Sequence, residues 1–197
     1  MRTTVLVLAL VCAGSRARAD SFAELAGGLA IPVGDSDWTN DVDLSPKFAA
    51  RVGASSGLFG GLLSVDWTPE QLSSSFDNAL GGASGFRFRI LAHLLVQHRV
   101  LPKLTIEGRF GGGIDLAHAS YDYTLLGVHA SGSNTDVGYA FELGGDVWYD
   151  VTPSVQIGGQ IALPIGHHDD HASNGNISFV YTSYDLDLLF AARFVSR

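Results

Sequence analysis

Five consecutive residues, HHDDH at positions 167–171, bring together groups that could bind a metal ion or transfer protons. The chain has seven histidines, and three of them lie in this stretch. Imidazole and carboxylate groups are good ligands for zinc, copper or nickel. The alternative is a solvated loop tip, since turn-rich ASNGN follows and neighbouring loop residues rarely converge on one ion. The candidate metal ligands are His167, His168, Asp169, Asp170 and His171.

A second candidate site is the HAS sequence, in which His118 and Ser120 lie two residues apart. A serine nucleophile needs an adjacent base and usually an acid that orients that base. Asp122 and Asp136 could supply the acid, although the spacing requires neither. The chain after residue 19 contains no phosphate-binding loop, and an H-x-S pair alone often occurs by chance. Hydrolysis is therefore an alternative to a main, non-enzymatic prediction, and we expect no cofactor.

The first long polar stretch, DSDWTNDVD, contains four aspartates and no basic residue. Its spacing is faintly similar to a calcium loop but lacks the turn glycine that such loops need. We therefore interpret it as an acidic, solvated loop, with a bound calcium ion as the alternative.

The N-terminus has the three parts of a secretory signal peptide. Basic MRTT precedes the apolar run VLVLALVCA, and ARA at 17–19 provides a small-x-small cleavage site before Asp20. We predict a Sec-type signal at residues 1–19, cleaved near Ala19–Asp20, and one domain at residues 20–197. The only cysteine, Cys12, lies in the signal, so the mature chain has no disulfide.

The charge balance argues against a nucleic-acid partner. The full chain has 12 basic and 20 acidic residues, and removing Arg2, Arg16 and Arg18 lowers its formal charge from −8 to −11. No stretch after residue 19 is apolar for long enough to form a membrane-spanning helix. If this chain spans a membrane, it must do so as a β-barrel.

Apolar and polar residues alternate with a period of two through most of the chain, which predicts β-strands. The segment VQIGGQIALPI is the clearest case, with Val155, Ile157 and Ile161 on one face and Gln156 and Gln160 on the other. Eight segments follow this pattern, at 21–31, 46–54, 57–67, 85–97, 103–118, 136–150, 154–165 and 178–195. Of these, 46–54 is the weakest, being short and rich in alanine.

Short and long connections alternate between these segments. Tight turns are predicted at 53–57, 98–103 and 150–154, and longer loops at 32–45, 68–84, 120–135 and 166–177. An even number of strands, with short turns at one end and long loops at the other, is typical of an outer-membrane barrel. The sequence therefore predicts an all-β, eight-stranded, antiparallel up-and-down transmembrane barrel.

The polar face of the segments carries all their charged residues. In a membrane barrel this face lines the lumen, where charges must be paired or hydrogen-bonded. We expect an internal charge network that fills a narrow lumen, with a small pore as the alternative. The members of this predicted network are Glu24, Lys47, Arg51, Asp66, Arg87, Arg89, Glu107, Arg109, Asp115, Glu142, Asp146, Asp185, Asp187 and Arg193.

Charge alone does not exclude a soluble periplasmic ligand-binding barrel, in which the same apolar face would be the core. The length of the strands and two groups of aromatic residues near the strand ends favour the membrane. Trp67, Phe86, Tyr121, Tyr139 and Tyr181 lie near the long loops, and Phe22, Phe59, Tyr149 and Phe194 near the short turns.

Taken together, the chain resembles the small eight-stranded outer-membrane barrels of the OmpA, OmpX and OmpW group. The resemblance rests on the signal, the alternation of turns and loops, the YDVTPSVQIGG turn, and a last strand that alternates from Tyr184 to Phe194. It departs from the group by continuing through Val195 to Arg197. It implies a Gram-negative outer membrane and a structural, surface-interaction or narrow-pore role.

The same resemblance implies partners: outer-membrane lipid, lipopolysaccharide, and the barrel-assembly machinery during insertion. It also keeps one enzymatic alternative open, since some small outer-membrane barrels are lipid A deacylases with an H-x-S pair like His118 and Ser120.

Overall fold

The computed structural model describes residues 19–34, 39–40, 42–72, 83–125, 128–171 and 178–196. These ranges are almost entirely β-strand. The strands are β1 (Asp20–Pro32), β2 (Val42–Asp43), β3 (Ser45–Ser56), β4 (Phe59–Leu72), β5 (Ala83–Leu101), β6 (Leu104–Leu125), β7 (Val128–Thr152), β8 (Val155–His171) and β9 (Ser178–Ser196). No helix in the described ranges is long and apolar enough to cross a membrane.

Eight of the strands form a closed antiparallel ring. Strands β3 to β9 each pair with the next along the chain, and β1 closes the ring by pairing with both β3 and β9. The two-residue strand β2 pairs only with the outer end of β4. Closure leaves no sheet edge within the ring. A bilayer requires this, because it has no water to bind the backbone N–H and C=O groups of an open edge. The predicted fold class is confirmed.

All eight predicted segments are strands of this ring, including the alanine-rich segment 46–54, which lies within β3. The three short turns are also present, at 57–58, 102–103 and 153–154. The first lies later than predicted, at the end of the range 53–57, because β3 continues to Ser56. Gly57 adopts a φ of 63° in the first turn, a conformation that favours glycine.

Three of the predicted loops were wrong in part. Strand β4 continues into the range 68–84 as far as Leu72. Strands β6 and β7 continue through most of the range 120–135 and pair as far as Leu125 and Val128. Strand β8 continues through HHDDH, which pairs with β9 as far as His171 and Ser178. Alternation is weak in the last two stretches because neither face there needs to be apolar, so the pattern did not reveal the strands.

The apolar face of the ring points outward and the polar face inward. The outward band contains large side chains that are 37–67% exposed, including Leu143, Phe110 and Leu163. Its aromatic residues include Trp67, Phe86 and Tyr139 toward the loops, and Phe59, Tyr149 and Phe194 toward the turns. Phe22 was wrongly placed in this group, because its ring is buried in the lumen.

The height of this band matches a bilayer. Tyr139 and Tyr149 are both exposed and lie ten residues apart on β7. At about 3.3 Å per residue this separation is about 33 Å along the strand. A strand tilt of about 40° reduces it to about 25 Å, the height of the apolar band in outer-membrane barrels.

Candidate functional site

The lumen is the part of the molecule where charged side chains converge. All fourteen members of the predicted charge network are buried, with exposures of 5% or less. They lie on every strand of the ring except β8, which contributes Gln156 and Gln160 to the lumen instead. This distribution arises because inward and outward residues alternate on each strand.

At the turn end, Arg193 of β9 connects two strands on different sides of the lumen. Its Nε donates a hydrogen bond to Glu24 Oε2 of β1 (3.2 Å), and its Nη1 donates to Glu107 Oε2 of β6 (3.0 Å). The guanidinium also packs against the rings of Phe22 and Trp148, at 4.2 and 3.9 Å from their centroids. Carboxylates and aromatic faces together compensate the loss of hydration around this buried cation.

Glu24 is shared with a second arginine. Arg51 Nη1 donates a hydrogen bond to Glu24 Oε1 at 2.6 Å, and the side-chain amide of Gln160 donates to the same oxygen at 2.6 Å. One carboxylate therefore accepts hydrogen bonds from β3, β8 and β9.

A third arginine is held by two acidic residues of β7. Arg109 Nε donates a hydrogen bond to Glu142 Oε1 (2.9 Å), and Arg109 Nη1 donates to both oxygens of Asp146 (2.6 and 2.8 Å). His93 of β5 lies on the other side of Glu142, with its Nε2 3.2 Å from the same Oε1. His93 is buried in the lumen.

Above this layer lies Lys47, which is fully buried. Its ammonium group is 3.0 Å from Asp66 Oδ2 of β4 and donates a short hydrogen bond to Asp187 of β9. The lysine thus sits between two carboxylates from strands that are not neighbours in the ring.

At the loop end, two arginines of β5 share their carboxylate partners. Arg87 and Arg89 both donate to Asp185 Oδ2, at 3.0 and 3.1 Å, and Arg89 Nε also donates to Asp115 Oδ2 at 3.0 Å. Arg87 Nη2 lies 2.6 Å from Glu70. Glu70 falls within the predicted loop 68–84, and we therefore missed it as a lumen residue.

The HHDDH stretch does not form one cluster. Because β8 continues through it, His168 points into the lumen and His167 points outward. His168 is buried, with Nδ1 2.9 Å from Asp136 Oδ2 and Nε2 3.3 Å from Asp115 Oδ2. It was wrongly predicted to lie in a loop. Extending the parity of β8, in which Gln156 and Gln160 face inward, would have placed it correctly.

Among the described residues, no group of three histidine, cysteine or acidic side chains is arranged to hold a metal ion. Asp169 is exposed on the outer face, and the side chains of Asp170 and His171 lie outside the described part. Metal binding by HHDDH stays a prediction. In the acidic first loop, Asp43 is exposed, and Asp35, Asp37 and Asp41 lie outside the described residues.

His118 and Ser120 share the outward face of β6, but each contacts a different neighbouring strand. His118 Nδ1 lies 2.7 Å from Thr135 Oγ1 of β7, and Ser120 Oγ lies 2.8 Å from Ser84 Oγ of β5. Asp136, one proposed orienting acid, contacts His168 instead. The side chain of Asp122, the other, lies outside the described part.

A cavity of about 410 Å³ opens at the turn end of the barrel. Arg193 and Phe22 contribute to its lining, so the charge network borders the cavity on the lumen side. Its polar lining includes Gln97, Arg99, Thr105 and Gln156.

Comparison with solved structures identifies the fold. A major outer membrane protein from Thermus thermophilus superimposes with a TM-score of 0.61 at 11% identity, over 90% of this chain and 99% of that chain. Ail, the attachment invasion locus protein of Yersinia pestis, gives a TM-score of 0.51 at 14% identity, over 90% of this chain and 98% of Ail. No protein-family model and no curated protein matches the sequence. The fold is that of the small outer-membrane β-barrels, as the sequence resemblance predicted.

Proposed function

We propose that this chain is an outer-membrane protein of a Gram-negative bacterium with a non-enzymatic structural or surface-interaction role. One observation supports this most strongly: most of the largest fully buried side chains are charged, and the exposed band is apolar. A water-soluble barrel has the opposite arrangement. The structural neighbours named as a major outer membrane protein and an attachment invasion locus protein are consistent with the proposal.

The lumen favours this role over that of a narrow pore. An eight-stranded barrel has an interior just wide enough for side chains to fill it. Here Lys47, Arg51, Arg89, Arg109 and Arg193 each bind carboxylates within that interior. Moving an ion past them would require these buried pairs to separate.

Neither an enzymatic role nor a cofactor has a supporting observation in the described residues. The hydrogen-bond partners found for the two side chains of the H-x-S pair are on different strands, Thr135 for His118 and Ser84 for Ser120. Hydrolysis of lipid A by purified protein, abolished by Ser120→Ala, would contradict the non-enzymatic proposal.

The proposal includes the route of the protein to the membrane. Residues 1–19 act as the secretory signal, and the barrel-assembly machinery inserts residues 20–197 into a bilayer of outer-membrane lipid and lipopolysaccharide. Residues 1–18 lie outside the described part of the chain.

Fractionation and electrophoresis test the proposal directly. We expect the mature protein in outer membranes, resistant to carbonate extraction, with a gel mobility that changes on boiling because a closed barrel resists cold detergent. Release into the soluble periplasmic fraction, with no mobility change, would contradict the membrane assignment. For the closed lumen, we expect vesicles containing the folded protein to be no more permeable to small sugars than protein-free vesicles.

A further inference from the structure

A set of polar side chains marks the upper limit of the apolar band on strands β5 to β9. On β6 the outward residues change from Ile114 and Leu116 to His118, and on β8 they change from Leu163 and Ile165 to His167. These polar residues, which we call the outer collar, are Ser84, His118, Thr135, His167 and Thr182.

The two histidines of the outer collar are held in the same way. His118 Nδ1 lies 2.7 Å from Thr135 Oγ1, and its ring stacks on Phe86 with a centroid distance of 4.9 Å. His167 Nδ1 lies 3.1 Å from Thr182 Oγ1, and its ring lies 5.1 Å from that of Tyr139. In each case a threonine engages Nδ1 and an aromatic ring supports the imidazole, so Nε2 is the nitrogen left for a further contact. In His167 this nitrogen lies 3.6 Å from Asp169 Oδ1.

The strand register places His118 and His167, each with its threonine and aromatic neighbour, close together around the barrel. His118 pairs with Thr135 of β7, and His167 pairs with Tyr139 of the same strand. Thr135 and Tyr139 are four residues apart, about 13 Å along the strand. Both imidazoles therefore lie on one side of the barrel, where the apolar band meets the headgroup region.

This end of the barrel has no other outward-facing group that can become cationic, apart from further histidines. Of the described lysines and arginines, six point into the lumen, and Arg99 and Lys103 lie at the turn end. The loop ranges 33–44, 73–82, 126–127 and 172–177 contain no lysine or arginine. Any cationic contact with the outer leaflet must therefore come from imidazolium, which forms in mildly acidic solution.

We propose that His118 and His167 form a binding site for the phosphate groups of outer-leaflet lipopolysaccharide, and that this binding strengthens as the pH falls. Each protonated Nε2–H would donate a charge-assisted hydrogen bond to a phosphate oxygen. The inference rests on the proposed outer-membrane function, since it needs this face of the barrel to lie in a bilayer.

The described groups that face these imidazoles include one charged side chain. His118 faces Phe86 and Ser84 on β5 and Thr135 on β7, none of which is charged. His167 faces Tyr139 and Thr182, and its Nε2 lies 3.6 Å from Asp169 Oδ1. The side chains of Asp122, Asp170, His171 and Tyr181 lie outside the described part.

The test compares lipid binding by the wild type and by H118Q/H167Q. Glutamine keeps a hydrogen-bonding group but gains no charge in acid. The proteins are folded into phosphatidylcholine nanodiscs, and binding of bis-phosphorylated lipid A is measured at about pH 5.5 and about pH 7.5. We expect the wild type to bind about three- to tenfold more tightly at the lower pH, which is the effect of two exposed ion pairs. The double variant should lose this difference.

His98 provides the matched control. It is an exposed, outward-facing histidine on β5, at the opposite end of the apolar band. H98Q should keep the full pH dependence, and lipid A without its phosphates should show none.

The inference would be overturned by an unchanged pH dependence in H118Q/H167Q, or by an equal loss in H98Q. Competition by inorganic phosphate at the same concentration as lipid A would indicate a site for free anions and would also overturn it. Boiling-dependent gel mobility of the same samples separates the two proposals. Wild-type protein that never inserts contradicts the proposed function, whereas inserted protein with no pH-dependent binding contradicts the lipid site alone.

Discussion

Arg193 contributes more than one ion pair to the lumen. It binds two carboxylates that are far apart in the sequence, Glu24 and Glu107, and it covers the rings of Phe22 and Trp148. Because all of these groups are buried, removing the cation takes from Glu107 the arginine that binds both of its oxygens, and it leaves Glu24 with Arg51 and Gln160. Removing one partner of a buried ion pair is strongly destabilising, because the other charge stays buried without compensation. Replacing both partners by apolar residues usually changes the stability much less.

We therefore expect Arg193→Met to lower the free energy of unfolding by about 3–5 kcal/mol. Arg99→Met is the matched control, because Arg99 is 49% exposed and binds Asp150 at 2.8 Å near the same end of the barrel. Its loss should cost no more than about 1 kcal/mol. Urea unfolding in phospholipid vesicles measures both values, and equal destabilisation by the two substitutions would contradict this account of the lumen.

Small residues on the strands determine how closely neighbouring strands and side chains approach. Gly113 of β6 faces inward beside β5, where an added Cβ would overlap Ile90 O and lie 3.0 Å from Leu91 Cα. Gly108 lies on the outward face of the same strand, and an added Cβ there would have no atom within 4 Å.

Gly113→Ala should consequently destabilise the barrel by about 1–3 kcal/mol through overpacking. Gly108→Ala should be neutral or should stabilise it by up to about 1 kcal/mol, because alanine has less conformational freedom in the unfolded chain. The same unfolding assay distinguishes them. A smaller effect at position 113 than at position 108 would show that β5 and β6 can separate locally.

The sequence was informative about strands only where the two faces meet different surroundings. Between the aromatic residues, one face contacts lipid and the other lines the lumen, so apolar and polar residues must alternate. Above the band both faces meet polar surroundings, and the ends of β6, β7 and β8 carry no such signal. His168 lies in the stretch of β8, and Glu70 lies at the corresponding end of β4, which is why both were assigned to loops.

Parity also placed the charged residues inside without indicating their partners. Lys47 binds Asp187, and Arg193 binds Glu107, across the lumen between strands that are not adjacent. Such contacts depend on strand tilt and on the stagger around the ring. Alternation along one strand carries no information about either quantity.

At the scale of the whole molecule, the outward band determines where the protein can be stable. Leu143 lies at its centre, four residues from Tyr139 and six from Tyr149, and is 61% exposed. Its register partners, Phe110 and Leu163, are also exposed and apolar.

We expect Leu143→Arg to destabilise the protein in a bilayer by about 2–4 kcal/mol, the cost of a cation near the midplane. Leu58→Arg is the control, since Leu58 is 47% exposed in the first short turn, outside the apolar band, and should change stability by less than about 1 kcal/mol. Equilibrium unfolding in vesicles provides the comparison. Equal effects would indicate that the band around Leu143 does not contact lipid.

Closure of the ring between β1 and β9 has a consequence for assembly. Glu24 is the register partner of Arg193 at this seam, and Asp185 and Asp187 of β9 meet cations from β3 and β5. A slip of β9 by one residue would turn all three of its charged side chains toward lipid. Each would then lose its partner and enter hydrocarbon, so the closing step discriminates electrostatically between the native seam and its nearest misaligned alternatives.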